Sequence, residues 1–170
     1  RIIARFRDPH LRALARRARF LDPLVESELV RILAGRRDAI LERYLTRLSP
    51  LTWPDLRPGL AGGRELCLQD LAVWSGIRPA ATRRYRARAY VGRALRETTE
   101  APPVRRAAES YVCVPLPEVP SSAETPAYLV VDLVAATPGA ETAYPARAHL
   151  YALGDRYRLV GLERPESHEA

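Results

Sequence analysis

The sequence predicts an α+β protein: a short N-terminal helical segment of about three helices, followed by an antiparallel β-sandwich or partial barrel. Three observations lead there. Apolar residues recur at helical spacing as far as about residue 48. Beyond residue 84 the apolar residues alternate or form short blocks. Pro- and Gly-rich stretches separate those blocks, as turns do in all-β domains.

The helical elements come first. Asp8-Pro9 is a start signal, because Asp can accept from free backbone amides and Pro suits the first helical position. Leu11, Leu14, Ala15 and Ala18 then repeat at helical spacing, and the helix should end near Phe20 or Leu21. Asp22-Pro23 repeats the start signal. It opens a second helix with Leu29, Ile32 and Leu33 on one stripe and Gly35 as its stop. A third helix starts near Arg36, carries Ile40, Leu41, Tyr44, Leu45 and Leu48, and ends at Ser49-Pro50. Residues 49–64 hold Pro50, Pro54, Pro58, Gly59, Gly62 and Gly63, and read as a linker or long ordered loop with Trp53 pinning it to the core.

The β-rich domain spans 65–164, with a tail at 165–170. From Tyr85 to Ala89 apolar and Arg residues alternate, which is a half-buried strand with a basic outer face. Residues 97–110 read as loop. Tyr111–Leu116 is a strand with Pro115 near its end, since Pro cannot donate to a ladder. Tyr128–Ala135 is the most apolar run and fits a central strand with Leu129, Val131 and Leu133 on one face. Ala146–Leu153 and Tyr157–Glu163 should form a hairpin around Gly154-Asp155. A two-residue loop sets Leu153 opposite Arg156, Tyr151 opposite Arg158, Leu150 opposite Leu159, His149 opposite Val160 and Ala148 opposite Gly161.

Composition bounds the function. Apolar residues make up 47%, enough for a core. Met is absent and the chain begins at Arg1, so a piece of a longer protein, or a processed one, is expected. All 27 basic residues are Arg, and Lys and Asn are absent, the signature of a GC-rich, bacterial-type coding sequence. The net charge of +7 is unevenly spread. Residues 1–48 hold 12 Arg against 6 acids, 49–106 hold 11 against 5, and 107–170 hold 4 against 9. That asymmetry suits a nucleic-acid or anionic-lipid partner. It also suits a basic part packing on the acidic part or on an acidic neighbour, which is the commoner arrangement. No apolar run reaches the ~18 residues that span a bilayer.

Specific chemistry is sparse, and no cofactor or metal is expected. Cys67 and Cys113 are the only cysteines, without a Cys-x-x-Cys zinc pattern. Both fall in strand contexts, so a disulfide is expected if the protein is exported to an extracytoplasmic compartment. Ala61-Gly62-Gly63-Arg64 lacks the Gly-Lys-Ser/Thr ending of a phosphate loop. His10, His149 and His168 have no metal-spaced partners, and His149 reads as an ordinary rim histidine. A Cys–His–Asp site could be composed from Cys67 or Cys113, His149 and Asp132, but spacing cannot place them together. Glu163, Glu166 and Glu169 read as a solvated tail.

Leu66–Tyr90 has the cadence of a helix-turn-helix: Leu68, Leu71 and Ala72 on a first helix, Ser75-Gly76-Ile77 as turn, and Arg83, Arg84, Arg86 and Arg88 on a recognition helix. Against that, the strand reading separates apolar from charged side chains more cleanly over the same residues. The leading functional expectation is a non-catalytic interaction or accessory domain of a larger protein, binding a partner chain or the rest of its own parent chain. The alternative is a nucleic-acid-binding module using the Arg83–Arg88 cluster. An enzyme domain ranks lowest, because no catalytic constellation can be composed from spacing.

Overall fold

The computed structural model describes residues 2–60, 62–92, 94–97, 103–137 and 144–165. Three helices, α1 (Ile2–Arg5), α2 (Asp8–Arg17) and α3 (Pro23–Arg47), precede two antiparallel sheets. Asp22 caps α3 by accepting from the Leu24 amide at 2.8 Å, with Pro23 at the first helical position. Gly35 does not stop this helix. It lies inside one continuous element, where the expectation was two helices. Its backbone stays helical and no Pro follows it, so the flanking Leu, Ala and Arg residues carry the helix through at a cost of about 1 kcal/mol relative to Ala.

The first sheet has four strands in the order β1-β2-β6-β5: β1 (Leu51–Pro58), β2 (Arg64–Asp70), β6 (Tyr111–Pro115) and β5 (Arg105–Ala108). The second has five in the order β4-β3-β7-β8-β9: β4 (Arg96–Glu97), β3 (Arg84–Val91), β7 (Ala127–Ala136), β8 (Pro145–Leu153) and β9 (Arg156–Glu163). A short helix, α4 (Leu71–Trp74), follows β2 directly.

Two strands occupy stretches read as irregular. Residues 49–64 are no linker, because β1 pairs with β2 along most of its length. Its prolines are tolerated for position: β1 is an edge strand, the register shifts between Thr52 and Asp55, and Trp53 takes a φ of 48° there. Within 97–110, Arg105–Ala108 forms the other edge, β5.

The core lies between the sheets. Leu51, Leu66, Leu68, Val112 and Val114 from one sheet meet Leu129, Val131, Leu133 and Leu150 from the other. Truncating one of these leucines to Ala should cost about 2–5 kcal/mol. In β7, Leu129, Val131 and Leu133 share the core face, as the alternation required. The β8–β9 hairpin turns at Gly154 (φ 75°) with Leu153 opposite Arg156, Tyr151 opposite Arg158 and Leu150 opposite Leu159. Beyond Leu150 a bulge displaces the expected register. His149 meets Gly161 rather than Val160, and Ala148 meets Leu162 rather than Gly161. The extra residue, Val160, is left exposed, while Leu162 is returned to the core side.

The helical segment joins the sandwich at the α4 end. Arg78 donates to the Glu42 carboxylate of α3. The Trp53 ring stands edge-on to Trp74 at 6.3 Å, and the Arg5 and Arg7 guanidinium groups lie over Trp53 and Trp74. Trp53 therefore pins β1 to the helical segment rather than to the core. Arg164, just past β9, donates to the Ser49 and Leu51 carbonyls and ties the end of the chain to the helix–strand junction.

Candidate binding faces and the buried ion pair

The helix-turn-helix reading fails in its second half. Arg84–Val91 is strand β3, so the chain follows the alternation instead. Leu68 lies in β2, and the turn at Gly76 (φ 78°) leads to a single 3-10 turn at Ala80–Thr82, not to a recognition helix. The four arginines separate into two roles. Arg84, Arg86 and Arg88 are exposed on the outer face of the five-stranded sheet.

Arg83 is buried and is no surface contact. Its Nε donates to Asp70 Oδ2 at 2.9 Å, and its other nitrogens donate to Thr137 Oγ1 and the Ala135 carbonyl. Asp70 is fully buried. Its Oδ1 caps α4 through the Ala72 amide at 2.9 Å, and its Oδ2 also accepts from the Tyr85 hydroxyl at 2.9 Å. Burial, followed by the Asp70 charge and hydrogen bond, pushes the Tyr85 phenol well up from its ordinary value. The group clamps the end of β2 to β3 and β7, and nothing in it faces a ligand.

Cys67 and Cys113 are directly opposed on β2 and β6, with sulfurs at disulfide distance, 2.02 Å, and Cα atoms 4.0 Å apart. They lie on the outer face of the four-stranded sheet, beneath its own long side chains. There Arg105 pairs with Glu65 at 2.5 Å, and the Arg57 guanidinium lies over the Tyr111 ring. Glu65 and the two sulfurs fall within 4.8 Å of one another. Sulfurs bonded to each other offer no thiolate to a metal, and the Glu65 carboxylate already holds Arg105.

The Cys–His–Asp site cannot form. His149 sits on the outer face of the opposite sheet, and Asp132 is engaged by Arg147 through two hydrogen bonds of 2.8 and 2.9 Å. That outer face carries ordered rows instead. Asp132 lies between Arg88 and Arg147 in register, and Arg147 opposes Glu163. Glu163 is therefore part of β9 rather than tail. It lies 3.7 Å from Arg147 and 3.5 Å from His149 Nε2. Glu166, His168 and Glu169 fall outside the described residues. In the next row Tyr90, Val130, His149 and Gly161 are neighbours. The Tyr128 hydroxyl and His149 Nδ1 are 2.5 Å apart. Burial, then the Tyr151 and Glu163 charges, raise the Tyr128 phenol.

The helical segment presents a different surface. On α3, Val30, Leu33, Ala34, Arg37 and Leu41 turn toward the body of the protein. A second stripe, in steps of three and four, holds Val25, Leu29, Ile32, Arg36, Ile40 and Arg43. All but the half-buried Leu29 are exposed. At the α2–α3 turn Leu21 is fully exposed, and Leu24 and Phe20 are open beside it.

His10 closes the start of α2 by accepting from the Arg7 amide at 3.1 Å, while Asp8 pairs with Arg37. Arg16 pairs with Glu26 and Arg31 with Glu28. Among the described residues no arginine of the helices pairs with a carboxylate of 107–170. None of the described helices is long and apolar enough to cross a membrane.

Comparison with protein-family models, with curated proteins and with solved structures gives no match. The functional reading rests on the chain's own faces.

Proposed function

We propose that the chain is an interaction domain whose helical segment docks a protein partner through the α3 stripe. The observation that carries this reading is an imbalance between the two parts. The sandwich buries its apolar face between its own sheets, whereas α3 leaves Val25, Ile32 and Ile40 open along one line. A row of large apolar side chains left open in this way is the usual mark of a protein contact. Arg36 and Arg43 stand in the same line without an ion-pair partner among the described residues.

Such a stripe fits an amphipathic helix with carboxylates beside its apolar anchors, laid along α3. The sandwich holds the stripe in place through Glu42–Arg78 and the two tryptophans. Titration calorimetry with two synthetic helical peptides tests the reading. Both carry Leu at steps of three and four, one flanked by Glu and one by Lys. The acidic peptide should bind, and Ile32→Glu with Ile40→Glu should abolish binding while leaving the melting temperature within a few degrees. Equal affinity for both peptides, or binding that survives the double substitution, would remove the proposal.

A further inference from the structure

The outer face of the five-stranded sheet is a second surface, separate from α3. No helix packs extensively against β3, β7, β8 or β9. Yet Val130, on that face, is only 3% exposed, and its neighbour Asp132 only 7%. Tyr90 and His149 flank Val130 in register, and Arg88 and Arg147 flank Asp132.

The Tyr128 and His149 rings have planes 17° apart and centroids 6.1 Å apart, with the hydrogen bond joining their edges. They form one nearly flat plate. Tyr151 adjoins it at 5.5 Å and is 39% exposed. Opposite His149, Gly161 has open space where a side chain would stand. Arg158 stands in register with Tyr151 beside the plate, whereas Arg84 and Arg86 pair with Ala136 and Val134 toward the opposite end of β7, about 20–26 Å from Tyr128 along the strand. Arg84 and Arg86 on β3, and Arg158 on β9, are exposed and have no carboxylate partner among the described residues. From β3 to β9 the face is about 14 Å wide, three strand spacings.

We propose that this face binds single-stranded nucleic acid. The Tyr128–His149 plate and Tyr151 stack on unpaired bases, Arg158 meets the phosphate beside them, and Arg84 and Arg86 meet phosphates several nucleotides further along the strand. Rings accept any base, and cations at the margins follow the backbone. A duplex keeps its bases stacked on one another, so the plate selects unpaired strands. Recognition is tolerant of sequence, because the polar groups that could read base edges are already engaged: Asp132 by Arg147, His149 by Tyr128 and Glu163. Glu163 is half exposed and repels phosphate, so the strand runs diagonally from Tyr151 and Arg158 to Arg86 and Arg84, away from the end of β9 that holds Glu163.

Fluorescence anisotropy with a labelled oligothymidylate, a hairpin duplex of equal length and heparin tests this across a salt series. The single strand should bind at least tenfold tighter than the duplex or heparin. Tyr151→Ala should weaken it about tenfold. Arg84→Ala with Arg86→Ala should lower the salt slope by about 1.4, from 0.7 per phosphate. Arg158→Glu, at a fully surface position, guards against a folding artefact and should also weaken binding severalfold. Arg12→Glu with Arg17→Glu, on the helical segment, should leave it within twofold. Absence of binding, equal binding to duplex or heparin, or an equal loss from the helical substitutions would overturn the proposal.

Discussion

The Asp70 carboxylate and the Arg83 guanidinium meet at 2.9 Å with 0% and 5% of their side chains exposed, joining the end of β2 to the second sheet. Removing one partner strands a charge in the interior, which costs about 3–5 kcal/mol. Asp70→Ala should therefore lower the urea midpoint strongly, with an added loss from the α4 cap and from the Tyr85 hydroxyl bond. Replacing both Asp70 and Arg83 with apolar residues should cost less than the single change. Equal stability of Asp70→Ala and the parent protein in urea melts would contradict the clamp.

Cys67 and Cys113 should be bonded in protein made under oxidising conditions. The bond closes a loop with a sequence separation of 46, worth about 2–4 kcal/mol. Thiol titration of the denatured, unreduced protein should find no free thiol, and reduction should lower the melting temperature. Two free thiols would show that the pair stays reduced, and with it the expectation of an extracytoplasmic setting would fall.

Alkaline pH should destabilise the fold through tyrosines 85, 128 and 157, whose phenols are all raised, chiefly by burial. In the unfolded chain each ionises near pH 10. Above that pH the unfolded state has lost protons that the folded state keeps, so stability is full below about pH 10 and falls as pH rises toward the folded values. Absorbance at alkaline pH should show these phenols ionising together with unfolding. Tyr85→Phe should make the decline shallower. Three phenols titrating freely before the fold is lost would contradict their burial.

The sequence made the element types legible wherever one physical signal dominated. Alternation from Tyr85 to Ala89 fixed β3 and its basic face, and Gly154-Asp155 fixed the turn and the first register pairs of the last hairpin. It misled where a local signal was weaker than its context. Gly35 resembles a helix stop but is carried through by its neighbours, and the prolines of β1 resemble a linker but sit at an edge and a bulge. The bulge at Val160 leaves no mark in an alternating pattern. The rows that build the sheet face were beyond reach for a further reason. Tyr128, His149 and Glu163 share a surface only through two registers and that bulge. Arg83 carries the same charge as its neighbours in the sequence, yet it occupies the turn before β3 and points inward.

The most direct test of the interaction-domain reading is a charge exchange on α3. Arg36→Glu with Arg43→Glu alters only exposed positions, so the protein should melt within a few degrees of the parent. The acidic helical peptide should lose its affinity and the basic peptide should gain it, both at low salt. An unchanged preference for the acidic peptide, or binding of neither peptide by the parent protein, would contradict that reading.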